Sequence, residues 1–376
     1  MKAVEVKLSR TGVPETDYEG LSVYWKRQAL ERGRALAEAL VSRTAVDVLC
    51  SRVLELAPKT YAPPPFKTLK IDRKKTAGRP QSAVLLFSDA HIGQEVKSKQ
   101  TLGMGGYNFD IFLRRLRRLE VSVMSIIRDH TTVQVPEIVV PILGDMLHGA
   151  LNHGAEAGQV NTMLAQFYSG GHAIAQFLRN ISALAPLRIY GCVGNHPRWQ
   201  NQHKMPTQNR NSNFDQLLYL YIQALTRDIP QIAWHLDDQP FATFHVQGFQ
   251  FYCGHGENLR GGDKMLGIPN HAMGRMVSTT TQLFTRAGRS IPAYYCVGHL
   301  HRPISLPHAN GDVLVNGAFP GIDGYSLDGY FNSSRPMQRF FFMHPEFGRT
   351  AEYPIQLDLG DVTSHGYELP DEFPCV

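Results

Sequence analysis

"EIVVPILGD", residues 137–145, sets six apolar residues between a glutamate and a closing Gly144-Asp145. So short an apolar run, ended by glycine, predicts a strand buried on both faces. Upstream, "NFDIFLRRLRRLEVSVMSIIRD" (108–129) brings Ile111, Phe112, Leu116, Leu119, Val123, Ile126 and Ile127 to one side of a helix. Its Arg114, Arg115, Arg117 and Arg118 lie largely elsewhere and read as a solvated face, with a phosphate-facing patch as the alternative. "SAVLLFSDA" (82–90) has the same strand texture as the quoted run. A helix over roughly 160–184 and a third strand, "LRIYGCVGN" (187–195), follow it. Strand–helix–strand–helix–strand predicts a parallel sheet with helices packed on it.

The later chain has a different texture. "FATFHVQGFQFYCGHG" (241–256) reads as a hairpin turning at Gln247-Gly248, and "PISLPHANGDVLVNGAF" (303–319) as another turning at Asn310-Gly311. "MQRFFFMHP" (337–345) and "TAEYPIQL" (350–357) form a final strand pair, with the aromatic "RFFFM" (339–343) expected in the core.

The 376 residues suffice for one large domain with appendages or for two domains, and 43% hydrophobic with 19% charged residues is the balance of a globular protein. No apolar run approaches the ~20 residues of a membrane span, and "MKAVEVKLSRTG" has no apolar signal-peptide core. The expectation is a cytoplasmic protein with no membrane partner. Cys50, Cys192, Cys253, Cys296 and Cys375 form no CxxC pair, and three of them sit inside apolar runs, so a reduced compartment without a disulfide framework is expected.

The net charge of +5 is unevenly spread. Residues 1–80 hold 16 Lys and Arg against 9 Asp and Glu, and the rest hold 22 against 24. Residues 20–57 have helical spacing, and "APPPF" (62–66) stops any helix. The chain therefore divides into a basic helical arm and linker (1–80), a main domain (81–360) and a tail (361–376). A basic arm on a nearly neutral body points to an anionic polymer partner, nucleic acid above all; a solvated linker is the alternative.

The strand ends hold the chemistry. They read Asp89-Ala-His91, Gly144-Asp145-Met-Leu-His148, Gly194-Asn195-His196, Gly254-His255-Gly256 and Gly298-His299-Leu-His301. Residues i and i+2 at a strand end share a side, and the carboxyl ends of strands in α/β sheets converge on one crevice. A single histidine there ordinarily bonds loop backbone. Five such ends in order place carboxylate, amide and imidazole together, a donor set for divalent Mn, Fe or Zn; the lack of thiolates argues against a structural zinc.

These five blocks, D-x-H, G-D-x-x-[DH], G-N-H, G-H and G-H-x-H, resemble the calcineurin-like metallophosphoesterases over residues 83–320, most of all the SbcD-type DNA-repair exonucleases and phage or mobile-element phosphoesterases. The resemblance implies an α/β fold in which mixed β-sheets are sandwiched by helices, an αββα sandwich. It implies two divalent metal ions, Mn2+ foremost with Mg2+, Fe2+ or Zn2+ as alternatives. Asp89, His91, Asp145 and His301 would hold one; Asp145, Asn195, His255 and His299 the other, with Asp145 bridging. A metal-bridging hydroxide would attack phosphorus, with His196 facing the scissile phosphate.

Two positions depart from that pattern. Pro197-Arg198 replaces the usual acid after G-N-H, and His148 stands where Asp or Asn is commoner, so His148 and Arg198 join His196 and Asp145 as catalytic candidates, Arg198 through the phosphate. The implied activity is a metal-dependent phosphodiesterase on nucleic acid, DNA foremost, with a homodimer or a separate ATPase as partner, since the chain has no P-loop. A phosphatase on nucleotides, RNA ends or small phosphoesters, and a nucleic-acid-binding protein with a weak metal site, are the alternatives. "RWQNQHKMPTQNRNSN" (198–213), with Trp199, His203, Lys204 and Arg210, and "NLRGGDKMLGIPNHAMGR" (258–275), with Arg260, Lys264 and Arg275, read equally as substrate-contacting or ordinary surface loops. His153 is a candidate to face the substrate, whereas His172, His203, His271 and His308 match no block.

Overall fold

The computed structural model describes residues 78–103, 105–149, 163–198, 213–237, 239, 241–259, 261, 268–322, 335–360 and 362–369. The basic arm and most of the linker lie outside the described residues. Two mixed sheets stack face to face between helices, the αββα arrangement expected.

The first sheet contains β1 (Ser82–Leu85), β2 (Ile138–Ile142), β3 (Leu187–Gly191), β4 (Ile232–His235), β10 (Met337–His344) and β11 (Gly348–Gln356), in the order β11-β10-β1-β2-β3-β4. β1, β2, β3 and β4 run parallel, while β10 is antiparallel to β1 with Leu85 opposite Phe340. The second contains β5 (Ala242–Val246), β6 (Phe249–Gly254), β7 (Tyr294–Val297), β8 (Ile304–His308) and β9 (Gly311–Val315), in the order β5-β6-β7-β9-β8. There β6, β7 and β9 are parallel neighbours.

Alternate side chains of the two sheets interlock as one core. Val84 and Val139 from one side meet Phe244, Phe251, Cys253, Cys296 and Leu314 from the other, joined by Phe341 and Met343 of β10. Removing any one large side chain from such packing typically costs ~3–5 kcal/mol. Cys192, Cys253 and Cys296 are buried and unbridged, as expected of small apolar fillers. The aromatic run of β10 is buried throughout.

Helices α1 (Phe109–Ser125), α2 (Met163–Ser182) and α3 (Phe214–Leu225) cover the first sheet. Asn108 caps α1 by accepting from the Ile111 N–H at 2.9 Å, and Phe112, Leu116, Leu119 and Val123 form its buried stripe. The helix ends in a π-turn at Ile126–His130. α4 (Asn270–Arg286) covers the second sheet, where Met273 packs with Tyr295, Val297, Val313 and Val315.

Three expectations need correction. Arg115 is not on a solvated face: it is buried and donates to the carbonyls of Phe319 and Pro320, the latter at 2.9 Å. The second hairpin turns one residue early, at Ala309-Asn310, because His308 pairs with Gly311. A Cβ on Gly311 would lie 2.0 Å from the Ala293 carbonyl, so the glycine serves a close approach rather than the turn. Finally, α3 and β4 form regular elements where none was read.

α2 meets α3 through stacked Phe167 and Tyr221 rings 5.0 Å apart, and His172 Nε2 lies 2.8 Å from the Tyr221 hydroxyl. Burial of this pair pulls the His172 pKa down to about 4. A histidine near 6.5 when unfolded and near 4 when folded takes up protons on unfolding, so its contribution is present above pH 6.5 and lost as pH falls toward 4. His172 should contribute a drop of ~3 kcal/mol across that window, and His172→Gln should lessen the fall in stability between urea titrations at pH 7 and pH 4.5 by about that amount.

Candidate metal centre

The loops leaving β1, β2 and β3 of one sheet and β6 and β7 of the other bring the strand-end residues to one place. Asp89, His91 and His301 present donor atoms within 4.8 Å of one another, and so do Asp145, His255 and His299. His91 Nε2 and His301 Nε2 are 3.0 Å apart, and His301 Nε2 lies 3.3 Å from Asp89 Oδ1. In the second group His255 Nε2 sits 2.9 Å from Asp145 Oδ2 and 3.0 Å from Asn195 Oδ1. All seven residues expected to hold metal are thus gathered in two adjoining sets.

The backbone is bent to achieve this. Asp89, His91, Asp145, His299 and His301 have φ of 51°, 44°, 52°, 66° and 52°. Among the described non-glycine residues only Leu102 and Gln247 share that left-handed region. Each such residue costs ~1–3 kcal/mol, and strain of this kind persists where surrounding contacts over-determine it. The shared side of residues i and i+2, expected from strand alternation, is therefore reached by left-handed turns at both members.

The motif glycines have two different physical roles. Gly144 needs its φ of 91°, and a Cβ there would also lie 2.5 Å from the Gly194 nitrogen. Gly194 and Gly298 are required for room: a Cβ on Gly194 would stand 2.0 Å from Asp145 Oδ1, and one on Gly298 2.5 Å from Asp89 Oδ2. Gly254 meets nothing nearer than 4.0 Å.

Hydrogen bonds fix the donors. The His299 N–H donates to both Asp89 oxygens, at 3.0 and 3.2 Å, and the Ser88 hydroxyl donates to Oδ2 at 2.5 Å. Ser88 is held in turn by Asn316 and Gln338, a fully buried amide pair at the ends of β9 and β10. The His196 N–H donates to Asp145 Oδ1 at 2.8 Å, and His255 Nδ1 lies 2.7 Å from the Leu143 carbonyl, which leaves Nε2 facing the carboxylate.

Asp215, at the start of α3, is fully buried and accepts from the N–H groups of Met146 (3.2 Å) and Gly194 (3.0 Å). None of Ser88, Asp215, Asn316 and Gln338 was singled out from sequence. Their partners are backbone groups or amides distant in the chain, and only the Asn213-Phe-Asp215 helix-start pattern was there to be read.

The electrostatics suit cations. Asp145 Oδ2 is buried and lies 2.9 Å from His255 Nε2. Burial opposes the charge of Asp145, but His255, His196 and His91 outweigh it and hold the carboxyl well below the usual range. Burial, with His196 and His301 adding to it, keeps His91 neutral, and burial with His255 pulls His299 down to about 3. Burial also works against a proton on His255, yet Asp145 and Asp89 push that imidazole up to about 10. A cation bound here would displace the His255 proton, and imidazole nitrogens converging with carboxylate oxygens are a donor set that divalent cations fill, so the residues present fit the expected metals.

His148 and His196 lie beside this centre. His196 Nδ1 is 3.1 Å from the His148 carbonyl, and His148 Nδ1 is 3.4 Å from His91 Nδ1. These three imidazoles form a further group with donor atoms within 4.8 Å. His148 meets His196 through both its carbonyl and its ring, the two ring centroids lying 5.3 Å apart, and meets His91 through its side chain. Arg198 Nη2 is 2.9 Å from Glu257, an ion pair joining the loops after β3 and β6. Arg275 is exposed on α4, and His308 lies 3.1 Å from the Ala293 carbonyl on β8. His153, Trp199, His203, Lys204, Arg210, Arg260 and Lys264 lie outside the described residues. No helix among the described residues is long and apolar enough to cross a membrane.

No family model matches the chain, and no curated protein matches it in sequence. Among solved structures it is similar to an archaeal phosphodiesterase, with 10% identity over 72% of this chain and 99% of that one and a TM-score of 0.32. It is also similar to a hypothetical protein from Pyrococcus horikoshii (8% identity, 73% and 88% covered, TM-score 0.38) and to zinc-complexed Vps29 from Entamoeba histolytica (8%, 73% and 99%, 0.29). These likenesses are remote, and the site itself bears on function.

The two glycine roles give a direct comparison. Gly194→Ala should push Asp145 aside and weaken Mn2+ binding by ~10–100-fold with the circular dichroism spectrum retained. Gly254→Ala should leave the affinity within a factor of about two, both read by isothermal titration calorimetry.

Proposed function

We propose that the chain is a metal-dependent phosphoesterase of the calcineurin-like kind, a two-cation phosphodiesterase acting on nucleic acid, with DNA as the favoured substrate. The observation that carries this reading is the pair of donor groups, Asp89/His91/His301 and Asp145/His255/His299, adjoining one another with His196 at their side. Asp145 is assigned the shared position: it belongs to the second donor group, and its backbone carbonyl accepts from the His91 N–H of the first at 3.0 Å.

Two cations held together supply a clamp on phosphoryl oxygens and water acidic enough to attack near neutrality. Imidazole with carboxylate favours Mn2+, with Fe2+, Zn2+ and Mg2+ following. The chain's own residues orient and exclude. His91 and His299 offer neutral nitrogens. His196, with Nδ1 engaged by the His148 carbonyl, keeps Nε2 to meet a phosphoryl or leaving oxygen. Arg198 and Glu257 hold the neighbouring loops together at the edge of the site. The excess positive charge ahead of residue 81 supports a polyanionic substrate.

The test is a cleavage panel with Mn2+, Mg2+ or Zn2+ on end-labelled single- and double-stranded DNA, RNA, and mono- and bis-ester chromogenic phosphates. DNA should be shortened with Mn2+, and Asp145→Asn should lower the rate by about 10²–10³-fold. Cleavage of small esters alone would replace the nuclease reading with a phosphatase. Absence of turnover on every substrate, with metal bound, would favour a binding protein.

A further inference from the structure

Asp215 lies 69 residues after Met146 and 21 after Gly194 in sequence, yet its two carboxylate oxygens are divided between them. Oδ1 accepts from the Met146 N–H at 3.2 Å and Oδ2 from the Gly194 N–H at 3.0 Å. Met146 follows Asp145, and Gly194 precedes Asn195. One fully buried carboxylate thus bridges the loop after β2 to the loop after β3.

Asn213 completes the bracket. Its Oδ1 accepts from the Asp215 N–H at 2.8 Å, and its Nδ2 donates to the Gly194 carbonyl at 2.8 Å. Both backbone groups of Gly194 are therefore taken by the first turn of α3. The Phe214 N–H donates to the Pro197 carbonyl at 2.8 Å, which ties down the far side of the same loop. Gly194 is also the residue whose absent side chain leaves room for Asp145 Oδ1.

A buried carboxyl group is expensive to keep unless its hydrogen bonds do something an apolar residue could not. A helix-start aspartate could have capped its own helix. Asp215 instead spends both oxygens on the two loops that carry Asp145, Asn195 and His196. From this geometry we infer that Asp215 is a positioning residue of the metal centre: it sets the separation of Asp145 from Asn195, and so the shape of the site a cation enters. The inference rests on the metal-centre reading above.

Asp215→Asn keeps the shape but sets an NH2 group against one of the two backbone N–H donors. In calorimetric titration of the full chain with Mn2+, the wild type should bind, and Asp215→Asn should bind ~10–100-fold more weakly. On the substrate the panel identifies, the variant should need correspondingly more Mn2+ for half-maximal rate, and saturating Mn2+ should recover most of kcat.

Ile222→Ala, in the buried face of the same helix, is the control for lost stability alone and should keep the wild-type affinity. Should Asp215→Asn fail to fold, Asn213→Ala opens the other half of the bracket and should show the same loss of affinity. Unchanged Mn2+ affinity in folded Asp215→Asn, or an equal loss in Ile222→Ala, would overturn the inference. A wild type that binds no Mn2+ would instead remove the metal-centre reading on which it stands.

Discussion

A carboxylate sealed from water against an imidazole 2.9 Å away is the constraint around which this fold is arranged. Isolated, a buried charge of that kind would cost several kcal/mol. Asp145 is held there by left-handed backbone, by the His196 N–H and by a neighbouring loop so close that only glycine fits at position 194. The same geometry recurs at Asp89, with Gly298 giving the room and the His299 N–H giving the hydrogen bonds. The scaffold beneath must be stiff for such loops to keep their shape, and the two interlocked sheets supply that stiffness.

Function follows from where the strands stop. Parallel strands end together, so β1, β2 and β3 deliver three polar loops side by side, and β6 and β7 deliver two more from the second sheet. Neither sheet alone carries both donor groups. The aromatic core that joins the sheets, with Phe244, Phe251 and Phe341 at its centre, therefore also fixes how far Asp145 stands from His255 and Asp89 from His301.

Much of this was legible in the chain because local rules wrote it. Apolar runs closed by glycine marked the strands, Gln247-Gly248 marked a hairpin, and each polar strand end lay within five residues. What was not legible depended on partners far apart in sequence. Nothing local to residues 337–344 says that β10 inserts between β1 and β11, or that its Gln338 helps hold Ser88 beside Asp89. Arg115 looked like one more exposed helical arginine, because the carbonyls that bury it come from residues 319 and 320. Asp215 was passed over for the same reason: its acceptor atoms serve backbone groups, and backbone groups leave no trace in a sequence.

Anomalous diffraction from crystals grown with Mn2+ tests the central claim most directly. Two peaks ~3.5–4 Å apart are predicted, one against Asp89, His91 and His301 and one against Asn195, His255 and His299, with Asp145 reaching both. A single peak, or none at these side chains, would contradict the two-cation account.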